Sequence, residues 1–198
     1  MSGNPMYVPK TERGKETVNR IITSSLELFA EKGFSSTSIN DITEKAGVAH
    51  GLFYFYFRTK YDILDNIVKI VNLDMRKYLK LSTMGLDKRI EIEKVGMQKF
   101  LEWMKINRKY YRILIEAQVH KPESYTWYFE TLSKRYSEEL RKAMDEGQII
   151  KVNPELLSYI FIGIGHMLGL RYVLWHNDGL TERDMRDLNL IIERMVSP

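Results

Sequence analysis

The hydrophobic residues of this chain recur at helical spacing over most of its length. In the first clear segment, apolar or small residues fall three or four positions apart, at Val18, Ile21, Ile22, Ser25, Leu26 and Phe29. This stripe is typical of an amphipathic helix with one face in a core. Gly33 is expected to end this helix. No alternating pattern of convincing length predicts a strand, so the sequence predicts an all-α fold.

Two short helices are predicted after the first. Ser38 and Asp41 have the spacing of a capping box, which starts the second helix, and Gly47 ends it. A third helix, rich in aromatic residues, is expected at 48–57. Three helices, of which the last two are joined by a tight glycine turn, have the layout of a helix-turn-helix.

The remaining chain predicts longer helices, expected at 60–81, 87–106, 108–118, 122–146, 154–176 and 182–196. Pro154 after Asn153 suits the first turn of one of them, and Thr181 with Asp184 forms a second capping box. We therefore predict a helix-turn-helix domain at 1–62, which includes a loose polar tail at 1–13, and a helical domain for binding and dimerisation at 63–198.

The composition narrows the class of protein. The chain has 198 residues, a net charge of +4 and no cysteine, which excludes disulfides and cysteine-based metal sites. It has no apolar run of about 20 residues and no apolar signal segment, which predicts a cytoplasmic protein without a membrane span. The first sixty residues carry eight lysines and arginines against six acidic residues. A DNA-binding function therefore depends on where a few groups lie rather than on bulk charge.

The third predicted helix has more aromatic residues than its own packing needs. Phe53 and Phe57 lie four positions apart and are expected to be buried together against the first helix. Tyr54, Tyr56 and Phe55 then remain for the other faces. A tyrosine there offers a rigid apolar ring and a hydroxyl that can reach a phosphate. The lysine at position 60 places a positive charge beside free N–H groups at a helix start, which suits a phosphate oxygen.

These residues also carry a resemblance. The segment from Val18 to Leu64 resembles the N-terminal signature of TetR-family regulators. The resemblance rests on Phe29-Ala30-Glu31-Lys32-Gly33-Phe34, Thr37-Ser38, Asp41-Ile42, Ala46-Gly47-Val48, Gly51, Tyr54, Phe57 and Lys60. It implies a homodimeric transcriptional regulator that binds double-stranded DNA, and a repressor that leaves a palindromic operator when a small apolar effector binds.

The resemblance further implies which residues meet DNA. Tyr54 and Lys60 hold positions that usually contact backbone phosphates, and the hydroxyls at 37 and 38 do likewise. The full implied set is Thr37, Ser38, Asn40, His50, Gly51, Leu52, Tyr54, Phe55, Tyr56 and Lys60. Two positions depart from the family pattern: residue 50 is often lysine and residue 56 is often histidine. Two interpretations, a basic arm near DNA and a solvated tail, fit equally for Lys10, Arg13, Lys15 and Arg20.

The C-terminal region collects aromatic residues and methionines, which can line an adaptable apolar cavity. A fainter resemblance at 112–118, 127–129 and 163–172 is to TetR-type regulators of fatty-acid metabolism that respond to acyl-coenzyme A (acyl-CoA). It implies an acyl-CoA effector, with arginines for its phosphates. The ligand-binding residues expected are Phe100, Trp103, Met104, Tyr111, Arg112, Ile115, Trp127, Tyr128, Phe161 and Arg135. No other cofactor and no metal is expected.

The helix predicted at 154–176 is apolar on nearly all sides and contains Gly163, Gly165 and Gly169. A helix of this kind must be covered on opposite faces, and glycines allow another backbone to come close. With the helix at 182–196 it predicts a four-helix interface between two copies. The alternative is an intramolecular core helix of a monomer.

Other functions remain to be weighed. A regulator of efflux or multidrug response would bind other hydrophobic ligands, and a helical interaction protein would not use its helix-turn-helix on DNA. An acid–base enzyme could draw on His120, His166, His176 and Glu116, but no phosphate loop, nucleophile elbow or zinc-binding spacing accompanies them. We therefore predict that the chain is not an enzyme.

Overall fold

The computed structural model describes residues 9–198, and the statements below concern those residues. Their α-helices are α1 Glu12–Lys32, α2 Ile39–Ala46, α3 His50–Tyr56, α4 Lys60–Ser82, α5 Arg89–Ile106, α6 Arg108–His120, α7 Pro122–Asp145, α8 Pro154–Gly169 and α9 Glu182–Val196. No strand occurs in this described range. The all-α prediction is confirmed.

The ends of several helices follow the capping signals. At the start of α2, Ser38 Oγ accepts from the backbone N–H of Asp41 at 3.1 Å, and Asp41 Oδ2 accepts from the N–H of Ser38 at 2.7 Å. The second predicted box, at Thr181 and Asp184, starts α9 in the same way. These side chains satisfy N–H groups that a helix start leaves without partners.

The start of α1 differs from the prediction. Thr11 Oγ1 accepts from the N–H of Gly14 at 3.1 Å, so the helix begins at Glu12 rather than after Arg13. The prediction of a loose tail was therefore wrong for Glu12 and Arg13, because Thr11 caps the start of α1. Residues 1–8 of the predicted tail lie outside the described residues.

The helix predicted at 154–176 also changes character. It is α-helical to Gly169 and π-helical over Leu170–Trp175. A side chain at residue 169 would begin only 2.1 Å from Met104 Sδ, so Met104 would have to move to admit one. Arg108 Nη2 donates to the carbonyl oxygen of Leu174 at 3.2 Å. Both are tertiary contacts, which the helical spacing of the sequence does not reveal.

The described chain packs as two compact units. The first runs to Val71 and includes Lys109–Thr126, and the second consists of Asn72–Arg108 and Trp127–Pro198. Helix α4 therefore contributes to both units, and α6 packs with the N-terminal helices. The predicted boundary between residues 62 and 63 divides the chain by expected function rather than by packing, and it stays a prediction.

The core of the first unit joins α1 to α4 with α6. Phe53 and Phe57 are buried there, as predicted. Phe34, in the connection between α1 and α2, lies among aromatic rings: its ring centroid is 5.0 Å from that of Phe29 and 4.9 Å from that of Tyr61. This packing fixes the connection that leads into α2.

The second unit has its own core between α5, α7, α8 and α9. Leucine, isoleucine and methionine side chains from all four helices form it. One buried ion pair lies beside it, in which Arg89 Nε donates to Glu93 Oε1 at 2.6 Å. Burial raises the pKa of Glu93, while Arg89 and the hydroxyl of Tyr136, which donates to the same carboxylate, act against that rise. Burial of this ion pair is tolerated only because the Glu93 carboxylate accepts hydrogen bonds from both Arg89 and Tyr136.

Candidate nucleic-acid interface

Helix α3 exposes one face of mixed aromatic and polar side chains. The side chain of Tyr54 is 50% exposed and that of Phe55 is 56% exposed. His50 and Leu52 are also exposed, and the ring centroids of His50 and Tyr54 lie 5.3 Å apart. Gly51 lies on the same exposed stretch, with open space around its Cα. The structure therefore brings five of the predicted contact residues together on one short helix.

The start of α2 contributes a second exposed group. Ser38 and Asn40 are exposed. The serine hydroxyl is occupied by capping, since it donates to Asp41 Oδ2 at 2.7 Å. Hydrogen bonds from Lys32 and from Ser38 hold the pKa of Asp41 well below its usual range. The carboxylate is thus a fixed negative charge that stabilises the helix start.

Thr37 lies elsewhere than the resemblance implied. Its side chain is only 1% exposed, and its hydroxyl donates to the carbonyl oxygen of Gly33 at 2.8 Å. The hydroxyl therefore closes the turn after α1 rather than facing a phosphate. The implied phosphate contact from this side chain is corrected on that ground.

Lys60 is engaged inside the protein. Its Nζ donates to the carbonyl oxygens of Phe34 at 2.7 Å, Ser35 at 3.2 Å and Thr37 at 2.9 Å. The ammonium group also lies 4.5 Å from the centroid of the Phe34 ring. Burial lowers the pKa of Lys60. An ammonium group has three hydrogens, and here each has a carbonyl oxygen as its partner. The lysine therefore fixes the α1–α2 connection, and no hydrogen remains to be donated to a phosphate in this structure.

Helix α6 holds the same connection from another side. Glu116 Oε2 accepts from the N–H of Phe34 at 3.3 Å. The His120 ring stacks on Phe34 with centroids 4.8 Å apart, and its Nε2 lies 3.3 Å from Ser35 Oγ. Arg112, predicted to bind an effector, instead donates to the carbonyl oxygen of Ala30 at 3.4 Å. These contacts between α6 and the α1–α2 connection could not be predicted from the sequence, because their partners lie more than eighty residues apart.

The predicted effector residues divide between the two units. Tyr111, Arg112 and Ile115 belong to the first unit. In the second unit, the side chains that face its interior are Trp103, Met104, Tyr128 and Phe161, while Phe100 is half-buried and Trp127 and Arg135 are exposed. The buried members can form an apolar lining, whereas the exposed tryptophan does not contribute to an interior.

The second unit also contains a polar group that the sequence did not reveal. Asn72 is fully buried, and its Nδ2 donates to the carbonyl oxygen of Tyr128 at 3.2 Å, while its Oδ1 has no partner. Arg76 Nε donates to the carbonyl oxygen of Asn72 at 3.3 Å. Burial lowers the pKa of Arg76, and the nearby charge of Arg135 lowers it further. Neither arginine has a carboxylate within 4.0 Å among residues 9–198. The buried acceptor of Asn72 and the half-buried charge of Arg76 are costly unless something else meets them.

Helix α8 and its π-helical extension carry an exposed apolar stripe. Leu156, Ile160 and Met167 lie on it, and Leu190 and Ile191 of α9 are exposed as well. A side chain added at residue 163 would meet open space. By length and composition alone, the segment Pro154–Trp175 could cross a membrane, and a third of its most apolar window is buried; it is the one such segment in the part of the chain that the structure describes.

The described residues contain no candidate metal site. No group of three or more histidine, aspartate or glutamate side chains there is arranged to hold an ion.

Residues 21–67 match the family described as bacterial regulatory proteins, tetR family. The HTH-type transcriptional regulator YvdT of Bacillus subtilis is 39% identical over 62 residues, which are 31% of this chain and 31% of the relative. The fatty acid metabolism regulator protein of the same organism is 40% identical over 50 residues, or 25% of this chain and 26% of the relative. The chain thus aligns with about a third or less of the length of these relatives.

The structural likeness covers more of the chain. The fatty acid degradation regulator FadR of Bacillus halodurans superposes with a TM-score of 0.77 over 93% of this chain and 96% of that one, at 16% identity. At this identity the likeness concerns the fold. Together, these findings confirm the recognised TetR-type helix-turn-helix and the helical C-terminal region. The matched relatives are DNA-binding regulators, in agreement with the prediction that the chain is not an enzyme.

Proposed function

From the TetR-type module at its N-terminus, we propose that the chain is a transcriptional regulator, a repressor that binds a palindromic operator and is released by a small effector. The observation that carries this proposal is the exposed face of α3. A helix fits the major groove of DNA, which is about 12 Å wide. A soluble domain has little reason to expose two large aromatic side chains on a seven-residue helix unless they meet a partner.

The side chains of that face suit two kinds of contact. The hydroxyl of Tyr54 can donate to a backbone phosphate, while its ring packs against the sugar edge. His50 can donate to the acceptors on a guanine edge, and Leu52 and Phe55 can contact thymine methyl groups. A face of this composition binds DNA with fewer charge contacts than a lysine-rich helix.

Homodimerisation is part of the same proposal. Leu156, Ile160, Gly163 and Met167 lie on one stripe of α8 because they are separated by four, three and four residues. Together with the exposed apolar residues of α9, this stripe supports a four-helix interface with a second copy. Two copies would present two α3 helices to successive major grooves of a palindrome, about 34–36 Å apart. Covering this stripe also accounts for the apolar character of α8 in a cytoplasmic protein.

The effector we propose is an acyl-CoA or a related apolar anion. Buried aromatic and methionine side chains of the second unit suit an acyl chain. Arg76 and Arg135 suit phosphate or carboxylate oxygens. The orphaned Oδ1 of Asn72 calls for a hydrogen-bond donor, which a pantetheine amide or a hydroxyl can supply and a simple fatty acid cannot. The relatives named as fatty acid regulators support this class.

Two experiments test these proposals. Operator sequences are first selected from random duplexes by the purified protein, and binding is then measured by gel shift. Recovery of no duplex above background would refute the DNA-binding function and leave an interaction protein. Release is next measured with decanoyl-CoA, decanoate, 3-hydroxydecanoate and 1-decanol.

The four ligands separate the candidate effectors. We expect decanoyl-CoA to release DNA and to raise the melting temperature most, and 3-hydroxydecanoate to exceed decanoate because it can donate to Asn72. Release by 1-decanol alone would favour a regulator of efflux or multidrug response that binds uncharged ligands. No shift with any chain length would exclude the acyl-CoA class.

A further inference from the structure

A polar cleft lies on the helix-turn-helix outside the exposed faces of α2 and α3. It has a volume of about 710 Å³ and lies between the N-terminal half of α1 and the C-terminal end of α2. Its polar lining includes Arg13, Glu16, Asn19, Arg20, Thr23 and Lys45. The TetR-type match begins at residue 21, so Arg13, Glu16, Asn19 and Arg20 precede it.

The cations of this region differ in how they are neutralised. Lys45 Nζ lies 3.0 Å from Glu27 Oε2 and 3.7 Å from Glu31 Oε2, and Lys15 pairs with Glu12 at 2.7 Å. Arg13 and Arg20 are exposed, and neither has a carboxylate within 4.0 Å in the described part of the chain. The cleft therefore presents two guanidinium groups that form no ion pair among the described residues.

These arginines lie beside the two ends of α3. The hydroxyl oxygen of Tyr56, the last residue of α3, is 3.3 Å from where a Cβ on Gly14 would lie. Arg20 Nη1 is 3.8 Å from the corresponding position on Gly47, in the turn that leads into α3. The N-terminal part of α1 thus approaches the last residue of α3 at Gly14, next to Arg13, and the guanidinium group of Arg20 reaches the turn that precedes α3.

We propose that Arg13 and Arg20 bind phosphodiester groups of the DNA backbone on either side of the groove that receives α3. Seven residues of helix separate their Cα atoms by about 10 Å, which is comparable with the width of the major groove, about 12 Å. A guanidinium group matches two phosphate oxygens at once, and Asn19, beside Arg20, and Thr23, one turn beyond it, add donors. This inference rests on the proposed function and extends the DNA-binding surface from α2 and α3 onto α1.

The same inference separates three of the four residues that the sequence offered as a basic arm. Arg13 and Arg20 bind DNA, whereas Lys15 stays paired with Glu12. Because phosphate contacts carry no sequence information, both arginines raise the affinity for the operator and for unrelated duplexes by the same factor.

The test measures salt dependence in full-length variants. The affinities of Arg13→Gln, Arg20→Gln and the double variant are measured for the selected operator between 50 and 300 mM salt. We expect each single change to weaken binding about 5- to 50-fold at the lowest salt and to reduce the slope of log K against log salt by about one, and the double change by about two. Arg141→Gln, an exposed arginine of α7, is the matched control and should leave both quantities unchanged.

The outcomes separate this inference from the proposed function. If the wild-type protein binds the operator and the arginine variants keep its slope, the inference is overturned while the DNA-binding function stands. Weaker binding at an unchanged slope overturns it as well, because that result indicates a structural effect. If the wild-type protein binds no duplex, the proposed function itself fails. Both side chains are exposed, so equal melting temperatures will verify that the variants fold.

Discussion

Helices α3 and α8 both leave large apolar side chains exposed, yet they differ in chemistry. The exposed face of α3 consists of aromatic rings with polar groups, from His50 to Phe55. That of α8 is a stripe of aliphatic side chains around an open glycine, from Leu156 to Met167. If each face stayed exposed, it would promote nonspecific association.

The composition of each face indicates a different partner. Aromatic rings with hydroxyl and imidazole groups can satisfy a partner that is polar and partly hydrated, such as the edge of a DNA groove. Aliphatic residues beside a glycine offer shape and no hydrogen bonds, which suits an identical helix at close range. We therefore expect substitutions on the two faces to be separable in their effects.

The largest effect is expected from Ile160→Glu, which places a carboxylate on the α8 stripe. Burial of the unpaired charges in the interface costs about 3–5 kcal/mol in total, equivalent to a dimer affinity weaker by roughly three orders of magnitude. Sedimentation velocity should show monomers at micromolar concentration. Leu73→Glu, at an exposed leucine of α4, is the control and should remain dimeric. A dimeric Ile160→Glu variant would contradict the α8 interface.

A smaller effect is expected from changes at Tyr54, which should leave the dimer intact. Loss of a hydrogen bond to a charged group costs about 1.5–3 kcal/mol, so Tyr54→Phe should weaken operator binding at least about tenfold. Tyr54→Ala, which removes the ring as well, should weaken it further. Fluorescence anisotropy at fixed salt measures both. Tyr61→Phe, an exposed tyrosine of α4, provides the comparison. Equal affinities for all of these proteins would remove Tyr54 from the interface.

Lys60 sharpens the comparison because it supports α3 without lying on its exposed face. Lys60→Gln removes three charge-assisted hydrogen bonds, and we expect a loss of stability on the order of 2 kcal/mol, after allowance for partial exposure. Lys60→Arg keeps the charge, but a planar guanidinium cannot donate to the same three carbonyl oxygens. Both should lower the melting temperature and weaken DNA binding at an unchanged salt slope. Lys69→Gln, in the exposed pair with Asp65, is the control on the same helix.

A salt slope reduced by about one in Lys60→Gln, with wild-type binding in Lys60→Arg, would instead assign the lysine to a phosphate. That result would require the ammonium group to leave the carbonyl oxygens of the α1–α2 connection when DNA binds.

The smallest effect concerns the capping box of α2. Its carboxyl pKa lies far below the ordinary value of 3.8, owing to Lys32 and Ser38. A depressed pKa in the folded state gives stability that is present above the unfolded pKa and is lost as the pH falls. Asp41→Asn should therefore melt below the wild type at pH 7, and the gap should begin to narrow as the pH falls below about 3.8 and close only below the depressed pKa of the folded state. Asp184→Asn should behave alike in α9, whose carboxyl pKa is also lowered. A constant gap would exclude the charge as the cause.

The sequence predicted those features that depend on neighbours in the chain. Both capping boxes, the burial of Phe53 and Phe57, and the exposure of Tyr54 follow from spacings of three or four residues. Thr37 was misplaced because a hydroxyl next to an N-cap can turn toward solvent or toward the preceding turn, and only packing decides which.

Features that depend on distant partners could not be predicted. The ammonium group of Lys60 bonds to carbonyl oxygens, which every residue has, so no residue type marks the site. The orphaned Oδ1 of Asn72 is visible only once Tyr128 has been placed beside it. The π-helical segment accepts a hydrogen bond from Arg108, and Gly169 before it faces Met104; both partners lie some sixty-five residues earlier in the chain.

The return of the chain to the first unit at Lys109–Thr126 has a consequence for biosynthesis. Phe34 reaches its partners Glu116 and His120 only after these residues have left the ribosome. A nascent chain that ends near residue 71 would expose the apolar surface that Ile113, Leu114 and Ala117 later cover. A fragment cut after α4 should accordingly aggregate or bind chaperones. A graft that transfers the first unit to another protein has to carry α6 with it.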